Sequence, residues 1–399
     1  MRVLIAGAGI GGLTAALALL ERNIDVEVYE QAAELKEVGA GLQLSANGTR
    51  AFYELGVGED LRSLSCEATG KEIRLWNTGE TWKLFDLGKL SVERYGYPYF
   101  TVYRPDLLGV LVSAVRGRKP DAIRLRAKCT GFTQDGGGVR LHLENGEAGG
   151  DALVGADGVH SRIRQGLFGQ DQPEFTGIIA WRGIVPMERL PRHMARMVGS
   201  NWVGPGGHVV HYPLRAGKVM NFVGALERSD WRVESWSARG TTKELSADFK
   251  GWHEDVHELI RNIPVPYKWA LMTRPPMPRW TAGRVTLLGD ACHSMVPFLA
   301  QGAVMAIEDG FVLARALSEV QGDIPTRLLG YENARRERTR RAVEGSSDNI
   351  ARFHNPALAD PVKGREYVER EWAGQNVAAR YEWLFNYDVT AAGIFRESL

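Results

Sequence analysis

The sequence predicts an α/β protein in which a parallel sheet with helical crossovers is joined to a second sheet and a helical C-terminal segment. A strand-like run, a glycine-rich turn and an Ala- and Leu-rich helix occupy residues 2–22, which is the pattern of a βαβ unit. A second strand–turn–helix junction lies at residues 285–309. Between them, residues 177–185, 208–214 and 218–226 run as strands, which favours a second, inserted sheet.

The composition is that of an ordinary globular protein of 399 residues, with 44% hydrophobic and 24% charged residues. At roughly 150 residues per domain, the length predicts two or three domains. The net charge of +1 indicates neither a nucleic-acid surface nor an anionic-membrane surface. The three cysteines (Cys66, Cys129, Cys292) lack metal-ligand spacing and cannot form a disulfide framework, so we expect a reducing cytoplasm and no metal site.

The first segment has an alternative interpretation. Residues 3–20 are nearly free of charge and resemble the apolar part of a signal peptide or a short membrane span. Four glycines near its start (Gly7, Gly9, Gly11, Gly12) are better explained by a strand, a turn and a helix. We therefore expect no membrane segment.

The glycines of this turn match a phosphate-binding pattern. Gly7, Gly9 and Gly12 occupy the three positions of G-x-G-x-x-G, which allow a tight turn, backbone approach to a pyrophosphate and close helix–strand packing. Glu30 ends the second strand at about the spacing at which a carboxylate binds an adenosine ribose. The pattern predicts an ADP-binding unit, and it does not choose between NAD and FAD.

Two further junctions place an aspartate between a strand and a helix. Asp157 follows the strand at residues 153–156, and Asp290 follows the strand at residues 285–288. Either carboxylate can be a simple helix cap or can accept hydrogen bonds from ligand hydroxyls. Gly302 opens the helix after Asp290, where unpaired backbone N–H groups can hold an anionic ring edge. Arg104, just ahead of another helix, is either a surface cation or a cofactor contact.

Together these junctions resemble the single-component FAD-dependent aromatic hydroxylases. Three fingerprints carry the resemblance: G-A-G-I-G-G with Glu30, G-A-D-G-V-H-S-R-I-R at residues 155–164, and L-L-G-D-A-C-H-S-M-V-P at residues 287–297. The resemblance covers about residues 1–345. It implies a Rossmann-like FAD-binding domain of the para-hydroxybenzoate hydroxylase type, an inserted β-sheet substrate domain and a C-terminal helical segment.

The resemblance also assigns cofactor residues. Asp290 matches the aspartate that contacts the ribityl-pyrophosphate of FAD, and Asp157 belongs to the fingerprint associated with both FAD and NAD(P)H. Arg104 matches an arginine that contacts the flavin. Pro297 and the start of the following helix, at Gly302 and Ala303, match the segment presented to the flavin ring.

Within the family, the chain is most similar to salicylate hydroxylase, 3-hydroxybenzoate 6-hydroxylase and 6-hydroxynicotinate 3-monooxygenase. The similarity rests on G-P-G-G-H-V-V-H-Y-P-L-R at residues 204–215, A-W-R-G at 180–183 and W-L-F-N-Y-D at 383–388. It implies that His208 and Tyr212 line the aromatic pocket. Strand periodicity agrees, because positions i and i+4 share a face, whereas His211 falls on the opposite face.

The implied function is hydroxylation of a phenolic aromatic acid by FAD, NADH or NADPH, and O2, through a flavin C4a-hydroperoxide. NADH is favoured over NADPH by the family alone. His208, Tyr212 and Pro297 are the expected catalytic residues, with His208 taking or relaying the phenol proton. The alternatives are an NAD-dependent dehydrogenase that uses only the N-terminal unit and a non-catalytic FAD-binding redox protein. We expect a small aromatic acid as the only partner besides, at most, a second copy of the chain (monomer or homodimer).

The predicted domains are discontinuous. Residues 1–70, 101–175 and 271–345 form the FAD-binding domain, residues 71–100 and 176–270 form the substrate-binding sheet domain, and residues 346–399 form a helical tail.

Three regions outside the fingerprints carry their own expectations. Residues 122–129 and 139–143 are expected to be antiparallel strands, and residues 245–262 a single amphipathic helix. That helix would carry His253 and His257 four residues apart on an exposed face rather than at a metal site. The basic run at residues 334–341 is interpreted as a solvated helix face paired with Glu332 and Glu337.

Overall fold

The computed structural model describes residues 1–35, 40–228, 230–231 and 238–394. The strands are β1 (Arg2–Ala6), β2 (Asp25–Tyr29), β3 (Gly41–Leu44), β4 (Cys66–Glu67), β5 (Gly70–Leu75), β6 (Thr81–Asp86), β7 (Phe100–Tyr103), β8 (Ile123–Arg124), β9 (Cys129–Gln134), β10 (Val139–Leu143), β11 (Gly146–Gly150), β12 (Ala152–Gly155), β13 (Glu174–Pro186), β14 (Val198–Gly204), β15 (Gly207–Leu214), β16 (Val219–Glu227), β17 (Tyr267–Thr273) and β18 (Val285–Leu287). The helices are α1 (Ile10–Leu20), α2 (Ala46–Glu54), α3 (Gly58–Leu64), α4 (Gly88–Tyr95), α5 (Arg104–Arg118), α6 (Arg162–Phe168), α7 (Thr242–Asp248), α8 (Glu254–Arg261), α9 (Asp290–His293), α10 (Gly302–Glu319), α11 (Ile324–Phe353), α12 (Pro361–Glu371) and α13 (Gly374–Phe385).

A five-stranded sheet with the order β18-β12-β1-β2-β8 confirms the predicted parallel sheet. Every neighbouring pair in it is parallel, as the βαβ pattern of β1, α1 and β2 requires. In its central strand β1, residues 3–6 are apolar and fully buried, as expected for a parallel sheet covered on both faces. Because all five strands point the same way, the turns after β1, β2, β12 and β18 meet at one edge.

The antiparallel expectation for residues 122–129 is wrong. Ile123 and Arg124 pair in parallel with β2 and close the edge of the first sheet. The antiparallel partner of β10 is instead β9, which begins at Cys129. A two-residue edge strand is too short for alternation to reveal the direction of its pairing.

A seven-stranded sheet with the order β17-β13-β16-β15-β14-β5-β6 confirms the second predicted sheet. One face packs with the core of the first sheet through residues such as Ile73, Val203 and Ala225. The other face, with Trp181 and Trp202, forms a separate core under α7 and α8. A small sheet of the order β3-β7-β4 lies against the first face, where the backbone N–H of Gly41 donates to Oδ1 of Asn221 at 2.9 Å.

The predicted single helix at residues 245–262 is two helices, α7 and α8. The chain turns at Gly251, which has a φ of +85°, a value that favours glycine. His253 is consequently the N-cap of α8, where its Nδ1 accepts from the N–H of Asp255 at 3.1 Å. His253 and His257 therefore do not share an exposed helix face.

The interpretation of residues 334–341 as a solvated face is wrong for Arg335. This side chain is fully buried, and its guanidinium lies 2.7 Å from both Glu308 and Asp309 of α10. Asp309 also pairs with His293 at 2.5 Å. Arg340, by contrast, is exposed and pairs with Glu337 and Glu344. The acidic partners of Arg335 come from a different helix, so spacing within the run could not reveal them.

The division into domains stays a prediction. α11 is continuous across position 345 and β17 across position 270, where the expected boundaries lie. Within the described part of the tail, α12 and α13 follow a short 3-10 turn, and residues 395–399 lie outside the described residues. In the described ranges, no helix combines the length and apolar composition that crossing a bilayer requires.

Candidate active site

A cleft of about 640 Å³ opens at the edge where the parallel strands end. Four of the predicted site residues line it, namely Gly7, Gly9, Glu30 and Asp157. They come from the turns after three adjacent strands, β1, β2 and β12. Parallel pairing therefore gathers residues that are up to 150 positions apart in the sequence.

At this turn, Gly7 and Gly12 allow neighbouring backbone segments to approach each other closely. Gly7 has a φ of +104°, and a Cβ there would overlap the carbonyl oxygen of Ala156 and lie 3.1 Å from Cα of Asp157. A Cβ at Gly12 would overlap the carbonyl oxygen of Gly7. Gly12 thus belongs to the helix–strand contact rather than to the cleft wall. Apart from its two chain neighbours, no described residue has an atom within 4 Å of a Cβ at Gly9, which leaves its backbone open to the cleft.

Glu30 holds the glycine turn from the neighbouring strand. Its carboxylate accepts from the N–H of Ala8 and from the N–H of Ala32, both at 2.9 Å. An open glycine backbone beside a half-buried carboxylate at the edge of a parallel sheet is the arrangement that binds pyrophosphate and ribose. The cleft therefore fits an adenosine diphosphate moiety.

Asp157 caps the following helix and also lines the cleft. Its carboxylate accepts from the N–H groups of Arg162 and Ile163, at 2.7 and 3.2 Å, and from the hydroxyl of Ser161 at 2.5 Å. Burial raises the pKa of this carboxyl, against the opposing effect of these hydrogen bonds. Asp157 is thus a helix cap that also lies in the cleft wall, and its contact with a ligand hydroxyl stays a prediction.

The Asp290 junction is joined to the glycine turn by direct packing. A Cβ at Gly11 would lie 3.1 Å from Cβ of Ala306, and one at Gly289 would also lie 3.1 Å from it. Gly289, with a φ of +65°, turns the chain so that Asp290 begins α9 with its side chain exposed. The structure therefore brings Asp290 beside the first fingerprint, although it is not among the residues that line the cleft.

The remaining predicted cofactor residues lie at element ends away from this cleft. Gly302 and Ala303 begin α10, and Pro297 is exposed in a 3-10 turn just before it. The side chain of Gln301, the N-cap of α10, donates to Ser45 at 3.0 Å and fixes this turn against α2. Arg104 begins α5, where its backbone N–H donates to the carbonyl oxygen of Ala40 at 2.9 Å.

The second candidate region is the face of the seven-stranded sheet turned toward β3. His208 and Tyr212 both lie on this face and are buried, as the i, i+4 spacing predicts. The Tyr212 ring packs against Gly41 of β3, where a Cβ would lie 2.7 Å from it. His211 lies on the opposite face beside Trp202, with ring centroids 6.5 Å apart, as strand periodicity predicts.

His208 is hydrogen-bonded to residues that no sequence pattern indicated. Its Nδ1 lies 2.7 Å from Nε2 of His354, at the end of α11. Nδ1 of His354 lies 3.0 Å from Oε1 of Glu227, at the end of β16. These partners are 146 and 127 positions away from the residues they bond, and neither belongs to a recognisable motif.

The surroundings of His208 keep its imidazole neutral. Burial, reinforced by the neighbouring His354, holds its pKa well below the ordinary histidine value. The Phe298 ring meets the His208 ring edge-on, with centroids 4.6 Å apart. Phe298 stands in the same 3-10 turn as Pro297, so the Pro297 segment and His208 are neighbours. Burial also raises the pKa of Tyr212.

Lys71 is a buried cation that sequence reasoning missed. Its side chain is only 8% exposed, and burial lowers its pKa to about 8. No ion pair or hydrogen bond joins this side chain to another described residue. Lys71 pairs in register with Gly199, the neighbour of Tyr212 on the same face. Alternation around Lys71 gave no signal, because an inward lysine in a strand looks like an ordinary solvent-facing residue.

Among the described residues, no group of three or more histidine, cysteine, aspartate or glutamate side chains is arranged to hold a metal ion. The candidate site therefore consists of the cleft, the Asp290 junction, and the buried polar face with Lys71, His208 and Tyr212.

Comparison with known proteins places this geometry in context. Residues 1–346 match the family model described as FAD binding domain. A 3-amino-4-hydroxybenzoate 2-monooxygenase from Streptomyces platensis is 37% identical over 395 residues, covering 98% of this chain and 97% of the relative. A 3-hydroxybenzoate 6-hydroxylase from Polaromonas naphthalenivorans is 36% identical, covering 97% and 96%. The structure of a salicylate hydroxylase substrate complex superposes with a TM-score of 0.82 at 25% identity, covering 100% of this chain and 99% of that one.

Proposed function

Because this chain belongs to the FAD-dependent aromatic hydroxylases, we propose that it hydroxylates a phenolic aromatic acid, using FAD, NADH or NADPH, and O2. The observation that carries the substrate class is the buried face of the seven-stranded sheet. It presents a neutral histidine, His208, a buried tyrosine, Tyr212, and the ammonium of Lys71, for which the described residues supply no anion. A phenolic acid carries a group that complements each of these residues. Its hydroxyl can give a proton to His208, and its carboxylate can pair with Lys71.

The cofactor residues would be those of the cleft, together with Asp290 beside the glycine turn and the start of α10. Gly7 and Gly9 would hold the pyrophosphate of FAD, Glu30 its ribose, and Asp290 its ribityl chain. Asp157, which lines the same cleft, supports the turn beside it. The flavin edge would reach Gly302 and Ala303 at the start of α10, whose free N–H groups favour negative charge on the ring. When bound, FAD takes reducing equivalents from the nicotinamide and supplies one oxygen atom of O2 to the substrate.

His208 would activate the substrate. Removing the phenol proton pushes electron density into the ring, which makes the ring a better acceptor of an electrophilic oxygen. A neutral imidazole is required for this role, and burial keeps His208 neutral. Phe298 and Phe353 pack around the His208 ring, with centroids 4.6 and 5.0 Å away, and exclude water from that side.

Lys71 would receive the substrate carboxylate. An unpaired ammonium in a buried site is costly, and the entry of an anion removes much of that cost. Four other buried cations in the described part of the chain each have a carboxylate partner, namely Arg164, Arg274, Arg315 and Arg335. Lys71 is therefore the buried cation on this face that a ligand carboxylate would complete. Lys71 and Tyr212 flank Gly199 on this face, so the substrate carboxylate would lie beside Tyr212.

The test is a substrate screen on the holoenzyme. The panel is 3-hydroxybenzoate, salicylate, 6-hydroxynicotinate and 3-amino-4-hydroxybenzoate, each measured by NADH and NADPH oxidation, oxygen uptake and product identification. 3-Methoxybenzoate, which has no phenolic proton, is the matched control. We expect a hydroxylated product from at least one phenolic acid and none from the methyl ether.

Other outcomes identify the alternatives. A yellow protein whose NADH oxidation no member of the panel stimulates would indicate a non-catalytic FAD-binding redox protein. A colourless protein that oxidises or reduces NAD would indicate a dehydrogenase. A cytoplasmic location and a monomeric or homodimeric state complete the proposal, and size-exclusion chromatography with light scattering measures the latter.

A further inference from the structure

We propose that His354 and Glu227 form a proton relay that carries the substrate's phenolic proton from His208 to the protein surface. This inference rests on the role of His208 in the proposed function. It adds two residues, a hydrogen-bond direction and an exit route that neither the family fingerprints nor the predicted site residues contain.

The three side chains form a continuous line from the interior to solvent. His208 and the His354 side chain are about 1% exposed, whereas the Glu227 side chain is 54% exposed. The two links measure 2.7 Å and 3.0 Å, both within hydrogen-bond range. The line crosses three elements, since His208 lies in β15, His354 at the end of α11 and Glu227 at the end of β16.

The exposed carboxylate fixes the direction of every hydrogen bond. Ionised Glu227 can only accept, so Nδ1 of His354 must carry the proton that it donates. Nε2 of His354 is then an acceptor, and Nδ1 of His208 must be protonated and donate to it. The remaining lone pair of His208 is on Nε2, and no described side chain or backbone group hydrogen-bonds to that atom. The relay therefore leaves His208 in the tautomer that a base requires.

The proton movement balances along this line. The phenol O–H bond breaks as Nε2 of His208 takes the proton and the phenolate forms. The N–H proton at Nδ1 of His208 moves to Nε2 of His354, and the proton at Nδ1 of His354 moves to Glu227. Glu227 releases it to water. After hydroxylation one proton returns from water along the same line: Glu227 gives it to Nδ1 of His354, Nε2 of His354 gives its proton to Nδ1 of His208, and Nε2 of His208 gives its proton to the product phenolate, which restores both starting tautomers. No oxidant or reductant is involved.

Burial explains why an exit is needed. A charged imidazolium at His208 would lie in an apolar surrounding of Phe298 and Phe353, with His354 as its neighbouring titratable group. Such a charge is strongly disfavoured. If the proton passes to the exposed carboxylate of Glu227, His208 does not stay charged. The substrate then remains a phenolate while its ring reacts.

The experiment separates a relay from a purely structural role. In His354→Gln, the amide oxygen can accept from His208 and the amide N–H2 can donate to Glu227, so the bonds and their direction are kept while proton passage is blocked. Glu227→Gln keeps an acceptor for His354 but cannot take a proton, and Glu227→Asp is the conservative control. The holoenzyme is mixed with the member of the substrate panel that the wild type hydroxylates fastest. Stopped-flow absorbance follows phenolate formation, and a pH-indicator dye follows proton release.

We expect proton release and phenolate formation to slow about a hundredfold in His354→Gln, within the ~10²–10⁴ range of positioned proton transfer. Glu227→Gln should slow both steps about tenfold or more, and Glu227→Asp should restore most of the rate. FAD content and substrate affinity should match the wild type. Wild-type rates in His354→Gln, or a wild type that binds the phenol without releasing a proton, would overturn the relay even if product is formed. Absence of product from the whole panel would instead overturn the proposed function.

Discussion

Lys71 and Tyr212 flank Gly199 from the two neighbouring strands. A Cβ at Gly199 would lie 3.8 Å from Cγ of Lys71 and 3.9 Å from Cβ of Tyr212. Because residue 199 is a glycine, β14 has no side chain at the point between Lys71 and Tyr212. The resulting gap has an unpaired ammonium on one side and a phenol ring on the other, and it is where we expect the acid end of the substrate.

Replacing Lys71 tests this arrangement. Lys71→Met keeps the apolar stem and removes the charge, and a charge-assisted hydrogen bond contributes about 1.5–3 kcal/mol. We expect KM for 3-hydroxybenzoate to rise about tenfold to a hundredfold, with KM for the neutral 3-hydroxybenzamide nearly unchanged. Lys71→Arg is the charge-preserving control. Equal losses for acid and amide would show that Lys71 does not bind the carboxylate.

His208→Asn tests activation of the phenol. Asparagine is smaller and cannot act as a base at neutral pH, so hydroxylation should slow by about 10²–10⁴. The FAD content of the purified variant, measured by its absorption spectrum, should equal that of the wild type, because His208 lies on the sheet and not at the cleft. Product formation at the wild-type rate would exclude the activating role.

Alanine substitutions at Gly7 and Gly9 are expected to have different effects on the protein. Gly7→Ala places a Cβ against the carbonyl of Ala156 at a positive φ, so the apoprotein should lose about 1–3 kcal/mol of stability. In Gly9→Ala the new Cβ meets no atom of the described residues within 4 Å apart from its chain neighbours, so apoprotein stability should be unchanged while FAD affinity falls. Thermal unfolding of each apoprotein, with and without added FAD, makes the comparison. Equal apoprotein stability of the two variants would contradict the steric argument at Gly7.

Stability should fall as the pH drops below about 6.5, in part because of His211. Burial, with a smaller effect of Arg74, lowers the pKa of His211 to about 3. Between these pH values the unfolded chain binds a proton at this histidine that the folded chain does not, so acidification favours unfolding. The contribution lost between pH 7 and pH 5 is about 2 kcal/mol.

Urea unfolding at the two pH values measures this contribution. His211→Phe, which fills the buried position without a titratable group, should reduce the pH 7-to-5 difference by about that amount. An unchanged difference in the variant would mean that His211 titrates normally in the folded protein.

The parallel sheet and the cofactor turns were predictable because their signals are local. A glycine turn such as that at Gly7, or an acid after a strand such as Glu30, is confined to one strand–turn–helix junction. Parallel pairing then places these junctions along one edge of the sheet. The sequence pattern therefore predicts which residues lie near the cleft. His208 and Tyr212 were found by resemblance, with strand alternation placing them on one face.

The unpredicted features depend on contacts between distant segments. Lys71 is buried only because β5 pairs with β14, and Arg335 only because α11 lies against α10. His354 becomes a partner of His208 because the end of α11 returns to β15. None of these contacts leaves a periodic trace in the sequence, since each depends on where a remote element packs.

The most direct test of the central claim follows the origin of the new hydroxyl oxygen. The holoenzyme is supplied with NADH, a phenolic acid that it turns over, and isotopically labelled O2 in unlabelled water, and the product is analysed by mass spectrometry. The account predicts one labelled oxygen atom in each hydroxylated product molecule. A product whose new oxygen comes from water, or NADH oxidation with no hydroxylated product from any phenolic acid, would contradict it.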